Sequence, residues 1–174
     1  MIGNIRMISR ENALGILRDS GCSEKVIAHC VAVAAVALEI AQGLKDEGMD
    51  VDIGLVEIGG LLHDLGRAKT HGMDHAIAGA EIAAGHGIDT AVIEIIRRHI
   101  GAGITREEAK AMGLPDDDYA PVTMEQKIVS HADNLIKGTE RIPFEMRIRK
   151  MKEKNVDNAV IERYQALARE VGVY

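Results

Sequence analysis

Along nearly the whole chain the apolar residues recur three and four apart, as on one face of a helix, and no run alternates apolar and polar positions as a half-buried strand does. The pattern predicts an all-α helical bundle. A first helix begins near Ser9, whose hydroxyl can cap the following turn, and ends at the Ser20-Gly21 breaker. Ser23 caps a second helix reaching about Leu44. Its VIAHCVAVAAVALEIA stretch is apolar almost all round, which predicts a helix in the middle of the bundle. A third covers roughly 52–65, stops at Gly66 and is followed by the polar connection RAKTHGMD. Further helices are expected at about 74–85, 89–99, 105–112 and 123–138, with one or two more between 143 and 171. Breaks fall at Gly101-Ala102-Gly103 and Leu114-Pro115-Asp116, and no repeat or linker divides the chain. The expectation is a single domain over 1–174, with its motifs in a core of about 23–138 and C-terminal helices in 143–171.

Composition sharpens this picture. At 174 residues one well-buried core is expected, and with three Tyr, one Phe and no Trp it must be packed from aliphatic side chains. A net charge of -6 removes any general attraction for nucleic-acid polymers or an anionic membrane surface, while local basic patches can still take a small anion. Cys22 and Cys30 form no CxxC or spaced framework, which suits a reducing compartment. The N-terminal MIGNIRMISR lacks a signal-peptide core, and the apolar run Val31 to Leu38 is too short to span a bilayer. A soluble, cytoplasmic protein is expected, and a homo-oligomer stays open.

The chemistry lies in the histidines and aspartates that share apolar faces. His29 falls with Val33, Val36 and Ile40; His63 follows Gly59 and Gly60 by one turn and is succeeded by Asp64; His99 closes the stripe of Val92, Ile95 and Ile96. Asp133 shares a face with Val129 and Ile136. His131, about 200° away at 100° per residue, is therefore expected to face outward. A buried carboxylate without a partner costs several kcal/mol, so these groups need a common cation. Imidazole and carboxylate together suit divalent Mn, Fe, Co, Ni or Zn.

These residues resemble the HD-domain superfamily of metal-dependent phosphohydrolases, in particular its HDIG-like branch. The resemblance rests on His29 in VIAHCVAVA, His63 and Asp64 in LLHDLGR, His75 in DHAIAGAEIA, His99 in RRHI and Asp133 in SHADNL, over roughly 23–138. It implies that His29, His63, Asp64 and Asp133 bind one metal ion. It further implies that His75 and His99 bind a second, with Asp64 bridging, or else contact the substrate phosphate. Leu65 and Arg67 stand where the HDIGK form has Ile and Lys, and Arg67 keeps the positive charge with a bidentate grip on phosphate.

The implied reaction is hydrolysis of a phosphomonoester or phosphodiester in a nucleotide or other small phosphorylated substrate by metal-activated water. Asp64 and Arg67 are then catalytic, and Arg67, Lys69 and His71 are substrate-binding candidates. A di-iron oxygenase of the same fold and a non-catalytic nucleotide sensor are the alternatives. His71 and His86 also read as surface residues, and one of Arg97 and Arg98 is expected to reach the site. The basic residues from Arg141 to Lys154 read most simply as an amphipathic surface helix, with an anion-attracting rim as the other reading. Asp116, Asp117 and Asp118 read as a solvated turn.

Overall fold

The computed structural model describes residues 8–172; the expectation that the extreme N-terminus carries no signal segment falls largely on residues 1–7, outside them. The regular structure of the described residues is almost entirely helical: α1 Arg10–Asp19, α2 Glu24–Asp46, α3 Ile53–Leu62, α4 His75–Gly85, α5 Thr90–Arg98, α6 Arg106–Ala111, α7 Met124–Asn134, α8 Phe144–Glu153 and α9 Asn158–Glu170. A 3-10 turn over Leu65–Ala68 lies between α3 and α4, and a two-residue antiparallel pair, β1 Ile136–Lys137 with β2 Glu140–Arg141, lies between α7 and α8. The all-α class follows directly.

The starts obey local chemistry. The side chains of Ser9, Ser23, Asp52, Thr105 and Thr123 each accept a hydrogen bond from the backbone N–H three residues on. The α6 and α7 caps are completed by Glu108 and Gln126, which reach back to the cap's own N–H.

Three expectations are corrected. The helix foreseen over 123–138 ends at Asn134, because the chain reverses at Gly138, where φ is +65°, and pairs Ile136 with Arg141. α2 is not buried all round: Ala28, Ala35, Glu39 and Gln42 form an exposed stripe, affordable because two of the four are alanine. By length and composition α2 could also cross a membrane, whereas only its uninterrupted apolar run had seemed relevant. In this fold Ile27, Cys30, Val33, Ala37 and Ile40 pack it into the core.

The third correction positions the site. α3 stops at Leu62 rather than running on to 65, and Asp64 adopts φ −97° and ψ 16° ahead of the 3-10 turn. Neighbours on a continuous helix diverge by about 100°. The break lets His63 and Asp64 turn toward one point.

α2 and α3 form the spine, with α5 and α7 packed on it. Close approach is set by small residues: a Cβ on Gly60 would lie 2.9 Å from Ala34 Cα of α2, and one on Gly59 would strike Ile95 of α5. The crossing therefore depends on both glycines.

Candidate metal centre

Five segments bring their ends together. His29 comes from the first third of α2, His63 caps the C-terminus of α3, Asp64 follows it, His75 opens α4, His99 caps α5 and Asp133 lies near the end of α7. His63, Asp64, His75 and His99 are buried, His63 completely; His29 and Asp133 are half-buried. All six residues singled out by motif thus converge.

Asp64 divides the cluster into two halves. Its Oδ2 faces His29 Nε2 at 3.8 Å and His63 Nε2 at 3.9 Å, and Asp133 Oδ1 completes that half at 3.0 Å from His29 Nε2 and 3.6 Å from His63 Nε2. Its Oδ1 faces His75 Nε2 at 3.2 Å and His99 Nε2 at 3.5 Å.

Each imidazole is oriented by its far nitrogen. The Nδ1–H groups of His29, His63, His75 and His99 donate to the carbonyls of Gly138, Gly60, Gly72 and Ile96, at 2.7, 2.8, 2.7 and 2.8 Å. A carbonyl only accepts, so in the neutral rings Nε2 carries the lone pair, and every Nε2 points into the cluster. Backbone carbonyls holding the second nitrogen are the usual support of a metal-ligating histidine.

The donor set is unsatisfied by itself. His63 Nε2 is buried with no hydrogen-bond partner, and its 3.6 Å approach to Asp133 is too long for one. His75 Nε2 and His99 Nε2 come within 3.0 Å of each other although both Nδ1 protons are committed elsewhere. Both faults are cured by cations placed among the nitrogens and the carboxylates. The residues fit divalent metal.

The electrostatics agree. Burial would raise the Asp64 carboxyl, but the His63 charge and the hydrogen bonds of His75 and His99 hold it well below the usual carboxylate range. Burial opposes ionisation of Asp133 too, and His29 and His63 likewise hold it low. Desolvation would depress His63, but Asp64 and Asp133 outweigh it and its pKa is pushed up to about 9 in the metal-free cluster. His29 is raised because its bond to Asp133 overcomes burial, and His99 is lowered by burial.

A cavity of about 320 Å³ opens over the cluster, lined by His29, Asp64, Arg67, His75, His99 and Asp133 together with Asn134, Arg147 and Tyr164. A smaller apolar annex of about 130 Å³ shares its Met73, Ile100, Gly101 and Tyr164 walls. Arg67 lines the cavity, with Nε 3.3 Å from Asp64 Oδ1 and Nη1 donating to the His71 carbonyl at 2.8 Å.

Other expectations fare differently. Lys69 and His71 do not line the cavity: Lys69 is exposed with Nζ 3.9 Å from Glu81, and His71 acts through its backbone. Neither Arg97 nor Arg98 reaches in, because Glu94 holds both, at 3.1 and 2.9 Å, while Asp117 binds Arg97 and the carbonyls of Asp118 and Ala120 bind Arg98. His131 is completely buried rather than outward, because α8 covers the far side of α7 and sets the Phe144 ring 5.3 Å from the imidazole.

Gly66, read from the sequence only as a helix stop, has a further structural task. A Cβ there would fall on the His75 carbonyl and lie 2.6 Å from Gly79 N, so only glycine lets α4 come close enough to deliver His75. Gly66→Ala is expected to cost about 1–3 kcal/mol of stability through overpacking. Urea melts check it, and an unshifted midpoint would mean that α4 is not seated on the turn as described.

Ser130 Oγ and Asn134 Nδ2 were also missed; both donate to the Gly101 carbonyl, at 2.7 and 2.8 Å, pinning the loop after His99 to α7. The only hint was their position on the Asp133 helix.

The HD domain family matches residues 26–138 of the chain. An uncharacterized protein of Methanocaldococcus jannaschii is 51% identical over 144 residues, covering 83% of this chain and 85% of that protein. A tRNA (cytidine(56)-2'-O)-methyltransferase of Picrophilus torridus is 42% identical over 151 residues, 87% of this chain, yet the match spans only 43% of that relative's length. The HD domain of the L. monocytogenes phosphodiesterase PgpH, solved with cyclic-di-AMP, shares the fold with a TM-score of 0.56 at 17% identity, over 94% of this chain and 97% of that one.

Proposed function

This chain belongs to the HD-domain family, and from that premise we propose that it is a metal-dependent phosphohydrolase acting on a nucleotide or another small phosphoester. One observation carries the reading. Four imidazoles are each locked by a backbone carbonyl so that Nε2 points inward, around one carboxylate that offers a separate oxygen to each half.

His29, His63, Asp133 and Asp64 Oδ2 would hold one divalent ion, and His75, His99 and Asp64 Oδ1 a second. Such ions supply Lewis acidity at a phosphoryl oxygen and a water acidic enough to ionise near neutral pH. The chain's own part is to fix that arrangement. Asp64 stays ionised and orients both halves, Asp133 stays ionised beside His29 and His63, and Arg67, held by Asp64 and the His71 carbonyl, sets a positive charge at the wall. Leu61, Leu62 and Leu65, the neighbours of His63 and Asp64 in the chain, are completely buried, so this segment enters the cluster from the dry core.

A small substrate suits the cavity and its annex, where an apolar or heteroaromatic group can sit between Ile100, Met112 and Val160 while phosphate lies over the cluster. The binding of cyclic-di-AMP by the PgpH domain of the same fold supports a nucleotide. The tRNA methyltransferase name belongs to a protein more than twice the matched length, and a charge of -6 does not favour a polymer track.

The test is hydrolysis of a panel of nucleoside monophosphates, cyclic dinucleotides and a short RNA, with Mn, Co, Ni, Fe or Zn supplied in turn. Metal-dependent turnover of the small substrates, abolished by chelator, is expected. No turnover with any metal would sink the proposal, and cleavage confined to the RNA would overturn the substrate class.

A further inference from the structure

α8 and α9 lie beyond residues 26–138, the part matched by the HD domain family, yet each contributes a polar side chain to the cavity lining: Arg147 and Tyr164. They lie outside the matched segment but within the fold shared with the PgpH HD domain, which covers 94% of this chain.

Arg147 is fixed from behind. Its Nε donates to the Asn134 carbonyl at 2.8 Å and its Nη2 to the Ile136 carbonyl at 3.2 Å, one and three residues after Asp133. The guanidinium is thereby registered to the end of the helix that carries a metal-ligand candidate. Carbonyls orient a cation without neutralising it. No carboxylate among the described residues lies within 4.0 Å of Arg147, and its Nη1 has no protein partner there.

The other cations near the site are differently engaged. Arg67 has Nε against Asp64 and Nη1 on the His71 carbonyl, while Arg97 and Arg98 are held by Glu94. Arg163, beside Tyr164 in the annex, makes a two-oxygen contact with Glu108 at 2.6 and 2.8 Å. Arg147 is the cavity's guanidinium with neither a carboxylate partner nor a full set of hydrogen bonds.

Tyr164 stands next to it and lines both the cavity and the annex. Its hydroxyl lies close over Gly101, where a Cβ would collide with it, so the ring has a fixed place between the two compartments. A ligand that extends from one compartment to the other must pass that hydroxyl.

We infer that Arg147 is a substrate-binding residue which takes the phosphate oxygens of the substrate through its unpartnered edge, with Tyr164 marking the border between the phosphate and the rest of the ligand. The inference rests on the reading of the cavity as a phosphoester site. It assigns catalytic metal to the motif residues and anion recognition to the C-terminal helices. The basic stretch around α8 then has two roles: Arg147 faces the cavity, whereas Arg149 and its exposed neighbours form the solvated side.

The probe is inorganic phosphate, titrated by calorimetry into the full chain loaded with Mn. Arg147→Ala is expected to weaken phosphate binding about 10- to 100-fold, the usual worth of hydrogen bonds to a charged group. Arg147→Lys, which keeps the charge and loses the fork, is expected to recover part of the loss, and the metal content of both variants should equal wild type. Because the guanidinium also ties α8 to α7, a second measurement uses no substitution: phosphate should protect Arg147 of the wild-type protein from phenylglyoxal, followed peptide by peptide. Binding by Arg147→Ala within twofold of wild type, equal modification with and without phosphate, or absence of phosphate binding to the Mn-loaded wild type would each overturn the inference. Hydrolysis of the substrate panel with phosphate affinity indifferent to Arg147 would defeat it and leave the hydrolase reading standing. Phosphate binding lost with Arg147 in a protein that hydrolyses nothing would do the reverse.

Discussion

Asp64→Asn is expected to abolish metal retention at one half of the cluster, weaken it at the other, and lower phosphoester turnover by about a thousandfold or more. The substitution preserves size, so α3 and the following turn keep their packing, but it replaces one of two anionic oxygens with an amide nitrogen that cannot ligate and leaves the other oxygen uncharged. Oδ1 serves His75 and His99 at 3.2 and 3.5 Å, and Oδ2 serves His29 and His63 at 3.8 and 3.9 Å, so no exchange of oxygen for amide spares both halves. Ions held here would contribute several kcal/mol to transition-state stabilisation, and each 1.36 kcal/mol is tenfold in rate, which gives the thousandfold figure. Metal analysis of protein freed of loose ions, circular dichroism and turnover together check it. A folded Asp64→Asn protein with wild-type metal content and rate would remove Asp64 from the centre. By comparison, His75→Ala should empty one half only, because His29, His63 and Asp133 do not depend on α4.

Why Asp64 could be recognised from sequence, and much around it could not, has a physical basis. Helical periodicity identified the buried faces carrying His29, His99 and Asp133, since a 3.6-residue repeat leaves a trace in the letters. It could not tell where α3 ends, and that ending allows the adjacent His63 and Asp64 to point the same way. The Nδ1 anchors of the four histidines are backbone carbonyls, which every residue supplies and no side chain advertises. His131 was assigned outward on the assumption that α7 has one buried side. α8 supplies a second, through a contact between segments that local pattern does not register. Arg147 is one of four cations in Phe144–Glu153 and differs from the others only in what lies opposite it. Lys69 and His71 stood near the motif in sequence, but the 3-10 turn carries their side chains away from the cavity.

The protonation of His63 leads to the other large effect, a steep dependence of metal affinity on pH. In the metal-free cluster its pKa is pushed up to about 9, against an unperturbed value of about 6.5. The imidazolium bound there stabilises the metal-free fold fully below pH of about 6.5, and that contribution is lost as pH rises through 9. Asp64 and Asp133 act in the opposite sense: their depressed pKa values stabilise the fold above the ordinary carboxylate range, and the contribution fades as pH falls below it. Between these limits a cation entering at Nε2 must displace the His63 proton. Affinity should therefore rise about tenfold per pH unit from about 6.5 to about 9 and then level off, with His29 adding to the slope at its lower end because its pKa is also raised. Calorimetric titration of Mn in two buffers of different ionisation enthalpy reads the released protons directly. About one proton or more per ion at pH 7.5 is expected, falling toward zero above pH of about 9. Release of no proton at pH 7.5 would mean that His63 is already neutral, and that the two carboxylates are balanced by some other charge.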